Sequence, residues 1–175
     1  MRIRAPFSWL GGKSRMSGKI LPYFPKHEIY CEVFGGSAVM LLAKQPSPIE
    51  IYNDIDEGLV NFYKVLRDET AVRKLAHLLN LTPYSRHEFT LAKKSWKDEE
   101  DIIEKARKWF VLAKQTFGGK FADSWGYTTA MTSSSSSTRW INSIKRLPEI
   151  HFRLKNVHLE NKPFGKVIET FVGDK

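Results

Sequence analysis

Hydrophobic and polar positions along the chain alternate between two periods, and the changes of period mark its elements. Residues 29–33 read as a short buried strand ending on an acidic residue, Glu32. Gly35 and Gly36 let the backbone turn sharply, and Ser37 is placed to cap an apolar helix over 38–43. Pro46 and Pro48 break that helix, and residues 49–52 read as a second strand with Asp54 just beyond its end, twenty residues after Phe34. Upstream, residues 15–24 predict a helix closed by Pro22 and Pro25.

A helical period takes over after the second strand. Leu59, Phe62, Tyr63 and Leu66 share one face of a helix over 59–67, and a shorter helix follows over 71–79. Beyond Thr82 and Pro83, Ser85 and Glu88 stand three apart, as a capping box requires. Lysines 93, 94 and 97 lie on the exposed side of the helix it opens. The spacing predicts a longer helix over 101–116, with Ile102, Ala106, Phe110, Ala113 and Phe117 buried. Lys105, Arg107 and Lys108 then fall on a solvated face. Residues 118–137 follow neither period and predict a loop or twisted hairpin. Thr138 is placed to cap a helix that turns Trp140, Ile144 and Leu147 inward and Arg139, Lys145 and Arg146 outward. A helical turn over 150–154, a strand over 156–160 and a helix over 164–171, opened by Pro163, complete the chain.

Strand, glycine turn, helix, strand and acidic tip form the arrangement by which doubly wound α/β domains hold an adenosine-containing ligand. The acid can accept hydrogen bonds from both ribose hydroxyls. A dinucleotide calls for G-x-G-x-x-G, where this turn has only Gly35 and Gly36, and its pyrophosphate disfavours a nearby acid such as Glu32. S-adenosylmethionine carries no phosphate and tolerates both features. A purely structural glycine turn fits the same residues.

Composition narrows the classes. The 175 residues are 42% hydrophobic, enough for one substantial core. No apolar run reaches membrane-spanning length, and the first twelve residues lack a signal peptide's apolar stretch. Cys31 is the single cysteine, which excludes an internal disulfide and argues against a zinc cluster. His27, His77, His87, His151 and His158 show no metal-ligand spacing, so no metal is expected, and the cytoplasm is the expected compartment. The formal charge of +9 favours a polyanionic partner. Lys120, Phe121, Trp125 and Tyr127 interleave charge and aromatic rings in the irregular segment. That mixture suits phosphate contact with stacking or wedging between bases, or packing onto the neighbouring helices.

Near the N-terminus, P-F-S-W-L-G-G-K places Trp9 before a glycine pair and a lysine. Gly11 and Gly12 can form a small anion-binding nest. Lys13 adds a full charge, so a carboxylate is the natural guest, with Trp9 packed on the ligand. A phosphate-binding P-loop would need glycine where Phe7 stands.

These residues carry a resemblance. Trp9, Gly11, Gly12 and Lys13 match W-x-G-G-K; Glu32, Phe34 and Gly36 match E-P-F-x-G-x-G; Asp54 matches D-I-N or D-I-D. The chain thereby resembles the adenine-specific DNA methyltransferases of the Dam type. Val33 stands for the family's proline and Ala38 for its last glycine, and residues 153–161 resemble its next core strand. The resemblance implies S-adenosylmethionine as cofactor, duplex DNA as partner and target recognition between the second and third strands. It also implies that Trp9, Gly11, Gly12, Lys13, Glu32, Phe34, Gly36 and Asp54 bind the cofactor.

The family's D-P-P-Y is missing, since none of the eight prolines adjoins another. By the resemblance, that motif would hold the amine of a flipped adenine, so no catalytic residue is expected among these 175 and methylation by them alone is not expected. The chain would then be an incomplete or split enzyme, completed by a second chain or self-associated through its sheet edge, or a remnant that binds without catalysis. The architecture expected is α/β: a partial, Rossmann-like methyltransferase sheet with an inserted helical DNA-recognition lobe. Residues 1–58 would hold the cofactor, 59–150 would form the insertion, and 151–175 would return to the core. Lys120, Trp125, Tyr127, Arg139, Lys145 and Arg146 are the candidate DNA contacts.

Overall fold

The computed structural model describes residues 3–128 and 135–171. Three parallel strands form one sheet in the order β1 (Ile29–Glu32), β2 (Ile49–Asn53), β3 (Val157–Glu160), with Ile29 opposite Ile49 and Glu50 opposite Val157. This is the α/β class the alternation predicts. Parallel neighbours need crossovers. The first is the short α2 (Val39–Ala43); the second is the helical run from α3 (Glu57–Arg67) to α8 (Leu147–Leu154).

Four of the five β2 residues are buried, including two polar ones, and those two tie the sheet to its surroundings. Glu50 pairs with Lys44 at 2.6 Å and with Arg153 of α8 at 2.8 Å. A buried carboxylate needs such partners. Asn53 donates to the carbonyls of Val33 at 2.9 Å and Lys162 at 3.0 Å, and accepts from the Lys162 N–H at 2.9 Å. The segments leaving β1 and β3 are thus pinned to the end of β2, and the three C-terminal strand ends stay together.

The first four helices between β2 and β3 start on short polar caps: Asp56 for α3, Asp68 for α4 (Glu69–Leu81), Ser85 for α5 (Arg86–Ser95) and Asp101 for α6 (Ile102–Lys114). Ser135 caps α7 (Ser136–Ile144), accepting from the Thr138 N–H; Thr138, the expected cap, lies in the first turn. α6 is central. Its Phe110 stacks on Phe62 at 5.1 Å between ring centres, and its Trp109 meets Phe7 at 5.0 Å. One apolar core runs from Leu41 and Tyr52 beside the sheet to Phe110 and Trp140 among the helices.

Several expectations shift. Ile102 and Phe117 are exposed: Ile102 opens α6 before it reaches the core, and Phe117 lies past its end. Glu88 closes no capping box. It faces Arg107 at 3.5 Å, while the Ser85 N–H donates to the side chain of Gln115. Arg107 and Lys108 are paired with Glu104 and Glu99, so their charges are compensated within the helical region. The helix expected over 15–24 is one α-helical turn, α1 (Ser17–Ile20), tightening into a 3₁₀ turn, because Pro22 offers no N–H. The last helix, α9 (Phe164–Phe171), stands where it is expected.

A candidate cofactor cleft and a basic groove

Above the strand ends lies a cleft of about 200 Å³. The segment after β1 forms one wall. Gly36 adopts φ +50, donates its N–H to Asp54 Oδ2 at 2.8 Å and sits against the Trp9 ring, where a Cβ would come within 2.9 Å. Gly35 packs on the ring of Tyr52, and a Cβ there would fall 2.1 Å from it. The Tyr52 hydroxyl donates to the Gly36 carbonyl at 2.6 Å. The turn is therefore clamped from below by a buried tyrosine and from the side by a tryptophan.

Ser37 does not cap α2. Ala38 takes the N-cap position in a left-handed conformation with φ 53, and no side chain of its own serves the helix N–H groups. Glu32 serves instead, its Oε2 accepting from the Leu41 N–H at 3.1 Å. This half-buried acid reaches across from the end of β1 to a helix N-terminus. Burial pushes its carboxyl up to about 7, against the pull of the Leu41 N–H and of Lys13 and Lys44.

The opposite wall is the N-terminal loop. The Gly12 N–H donates to the Trp9 carbonyl at 2.9 Å, so it is not available to the nest expected there. Lys13 accepts on its carbonyl from Met16 and Ser17, which starts α1, and its exposed side chain projects charge toward Glu32. Asp54 differs from the expected free acceptor. Its two oxygens hold the N–H groups of Gly36 and Asp56, and its carbonyl accepts from Asn161 after β3. All eight expected residues, Trp9, Gly11, Gly12, Lys13, Glu32, Phe34, Gly36 and Asp54, line this one cleft. Val39 and Met40 join the lining and Tyr52 buttresses it; their apolar spacing reads only as core.

The expected DNA contacts gather less completely. The bridge between Thr116 and Trp125 closes residues 117–124 into a short hairpin-like loop, and residues 129–134 lie outside the described set. Trp125 packs on Tyr84 and Tyr127, with the Arg86 guanidinium 4.9 Å from its ring centre. Phe121 packs on Trp9, Trp96 and Trp109. Tyr127 and Arg139 line a cavity of about 500 Å³ together with Lys114. Arg146 lines a second, of about 530 Å³, that also includes Lys114. Lys120 and Lys145 are exposed and belong to neither lining. Lys114 had no sequence signal beyond its place near the end of a helix. Among the described residues, no helix is long and apolar enough to cross a membrane and no group of three potential metal ligands occurs.

A model of the D12 class N6 adenine-specific DNA methyltransferases matches residues 9–174, from the first residue of the cleft to beyond α9. The chain belongs to that family. It is also 31% identical over 120 residues to the DNA N-6-adenine-methyltransferase of Escherichia phage P1. That match takes in 66% of this chain but 16% of the phage protein, so the chain spans a small part of that relative's length. In this D12 class chain the matched region contains both walls of the cleft and all three strands.

Proposed function

We propose that this chain binds S-adenosylmethionine in the cleft and duplex DNA along its basic side, as part of an enzyme that methylates the exocyclic amine of adenine. One observation carries the reading: two loops far apart in sequence, ending at Lys13 and beginning at Glu32, meet on one small cleft with charges of both signs. The amino-acid end of S-adenosylmethionine has an ammonium and a carboxylate, and Glu32 and Lys13 are of the opposite sign to each. Asp54 keeps unused lone pairs for the ribose hydroxyls while it holds the glycine turn. Trp9 and Phe34 offer apolar surface to the adenine or to the sulfonium arm. The cofactor, when bound, supplies an electrophilic methyl group. The work of this chain is to orient it and to bring DNA alongside in the cytoplasm, where no membrane lies between the two.

Adenine must be positioned by other groups. Holding reactants in place can contribute roughly 7–11 kcal/mol of barrier reduction, and these 175 residues contain no D-P-P-Y to do so. That role falls to residues elsewhere, in the same polypeptide or in a partner joined at a sheet edge. Calorimetry with S-adenosylmethionine tests the cleft. Lys13→Ala and Glu32→Gln should each weaken binding by about 1–3 kcal/mol, as loss of a charge-assisted contact does. Glu32→Gln keeps an acceptor for the Leu41 N–H, so it isolates charge from fold. Wild-type affinity in both variants would refute the assignment. A labelled-methyl transfer assay on adenine duplexes should show no turnover with these residues alone.

A further inference from the structure

The two cavities on the basic side meet at two residues. Lys114, in the last turn of α6, lines both, and Ser8 is the other residue they share. Tyr84, Tyr127 and Arg139 face the first cavity, and Arg4 and Arg146 the second. Among the described residues, neither lining includes a carboxylate. Lys114 therefore differs from Arg107 and Lys108 on the same helix, whose charges are met by Glu104 and Glu99.

Burial pushes the Lys114 ammonium down to about 8, and Arg146 and Arg139 push it further the same way. Three cations crowded into a half-buried groove repel one another, and a buried charge without a counter-charge is costly. An anion at their centre would reverse both penalties. The groove is also next to the cleft. Val39 lines the cleft and the second cavity, and Ser8 precedes the cleft residue Trp9.

We propose that Lys114 holds a backbone phosphate of bound DNA at the saddle between the two cavities, with Arg139 and Arg146 closing on it from either side. This rests on the reading of the chain as DNA-binding. The phosphodiester keeps its charge at all working pH values, so its arrival holds the Lys114 amine protonated. Above about pH 8 the amine must take a proton from solvent as DNA binds. A guanidinium is not deprotonated in a protein, so the charge of the groove changes there at Lys114.

The test uses the full chain and a labelled adenine-containing duplex, with affinity followed against salt and pH. Lys114→Gln should weaken binding roughly tenfold near 0.1 M salt and lower the salt slope by about one. Wild-type affinity should fall between pH 7 and pH 9, while Lys114→Arg stays flat. Calorimetry at pH 8.5 in buffers of different ionisation enthalpy should find proton uptake in the wild type and none in Lys114→Arg. If Lys114→Gln fails to fold, the arginine variant alone decides. A Lys114→Arg pH profile and proton uptake equal to wild type would overturn this inference and leave DNA binding standing. An unchanged salt slope in folded Lys114→Gln would do the same. A wild type that binds no duplex would overturn the DNA reading itself.

Discussion

The cleft and the groove are neighbours built on opposite plans. The cleft sets Lys13 against two acids, Glu32 and Asp54, and each acid already holds backbone N–H groups. The groove has Lys114, Arg139 and Arg146 and, among its described lining, no acid. Mixed charge suits a small zwitterion that must be oriented. Charge of one sign suits a polymer whose repeating phosphates release counterions on binding. The difference also lies in construction: main-chain turns make the cleft, and side chains from separate helices make the groove.

The largest expected effect removes one site and spares the other. Gly35→Ala places a methyl group inside the ring of fully buried Tyr52, which its bond to the Gly36 carbonyl holds in place. Overpacking of this kind costs about 1–3 kcal/mol or more. Cofactor affinity should drop about a hundredfold, whereas duplex affinity should change less than twofold. Loss of both in equal measure would mean that the two sites share one support. Next in size is Arg139→Ala with Arg146→Ala. Together they should reduce the salt slope of DNA binding by about two and leave cofactor calorimetry unchanged.

A smaller effect sharpens the contrast through pH. The Glu32 carboxyl is pushed up to about 7. Below that value the folded protein holds a proton that the cationic ammonium must displace. Cofactor affinity should therefore rise from pH 6 to pH 8 and level off, opposite in direction to the DNA affinity governed by Lys114. Stability follows the same linkage: the folded state binds the extra proton between the ordinary glutamate value and about 7, so Glu32 lowers stability as pH rises through that window. Glu32→Gln should flatten both profiles, as calorimetry and thermal melts across that range would register.

Much of the scaffold was legible because its signals are local. Glycine and proline punctuation, alternation in strands of four or five residues and helical spacing in Leu59, Phe62, Tyr63 and Leu66 placed the strands and the long helices. Readings failed where a local signal competed with a distant partner. Ser37 looked like a cap, but Glu32 reaches the helix from another element. Glu88 looked like a capping-box acid, but Arg107 draws it away.

By itself, the sequence determined the α/β class, the two glycine-bearing loops and the acids and lysine of the cleft, since each is set by residues close together in the chain. Only the tertiary structure decided which charges stay uncompensated. Arg107 and Lys114 lie two turns apart on one helix; the spacing shows Glu104 one turn before Arg107 and no acid one turn from Lys114, but not what other elements bring to either. Arg107 lands beside Glu104 and Glu88, whereas Lys114 lands beside Arg139 and Arg146. Electrostatic energy depends on distance through space and on burial, so the difference between a structural ion pair and an open basic groove first exists when the chain has folded.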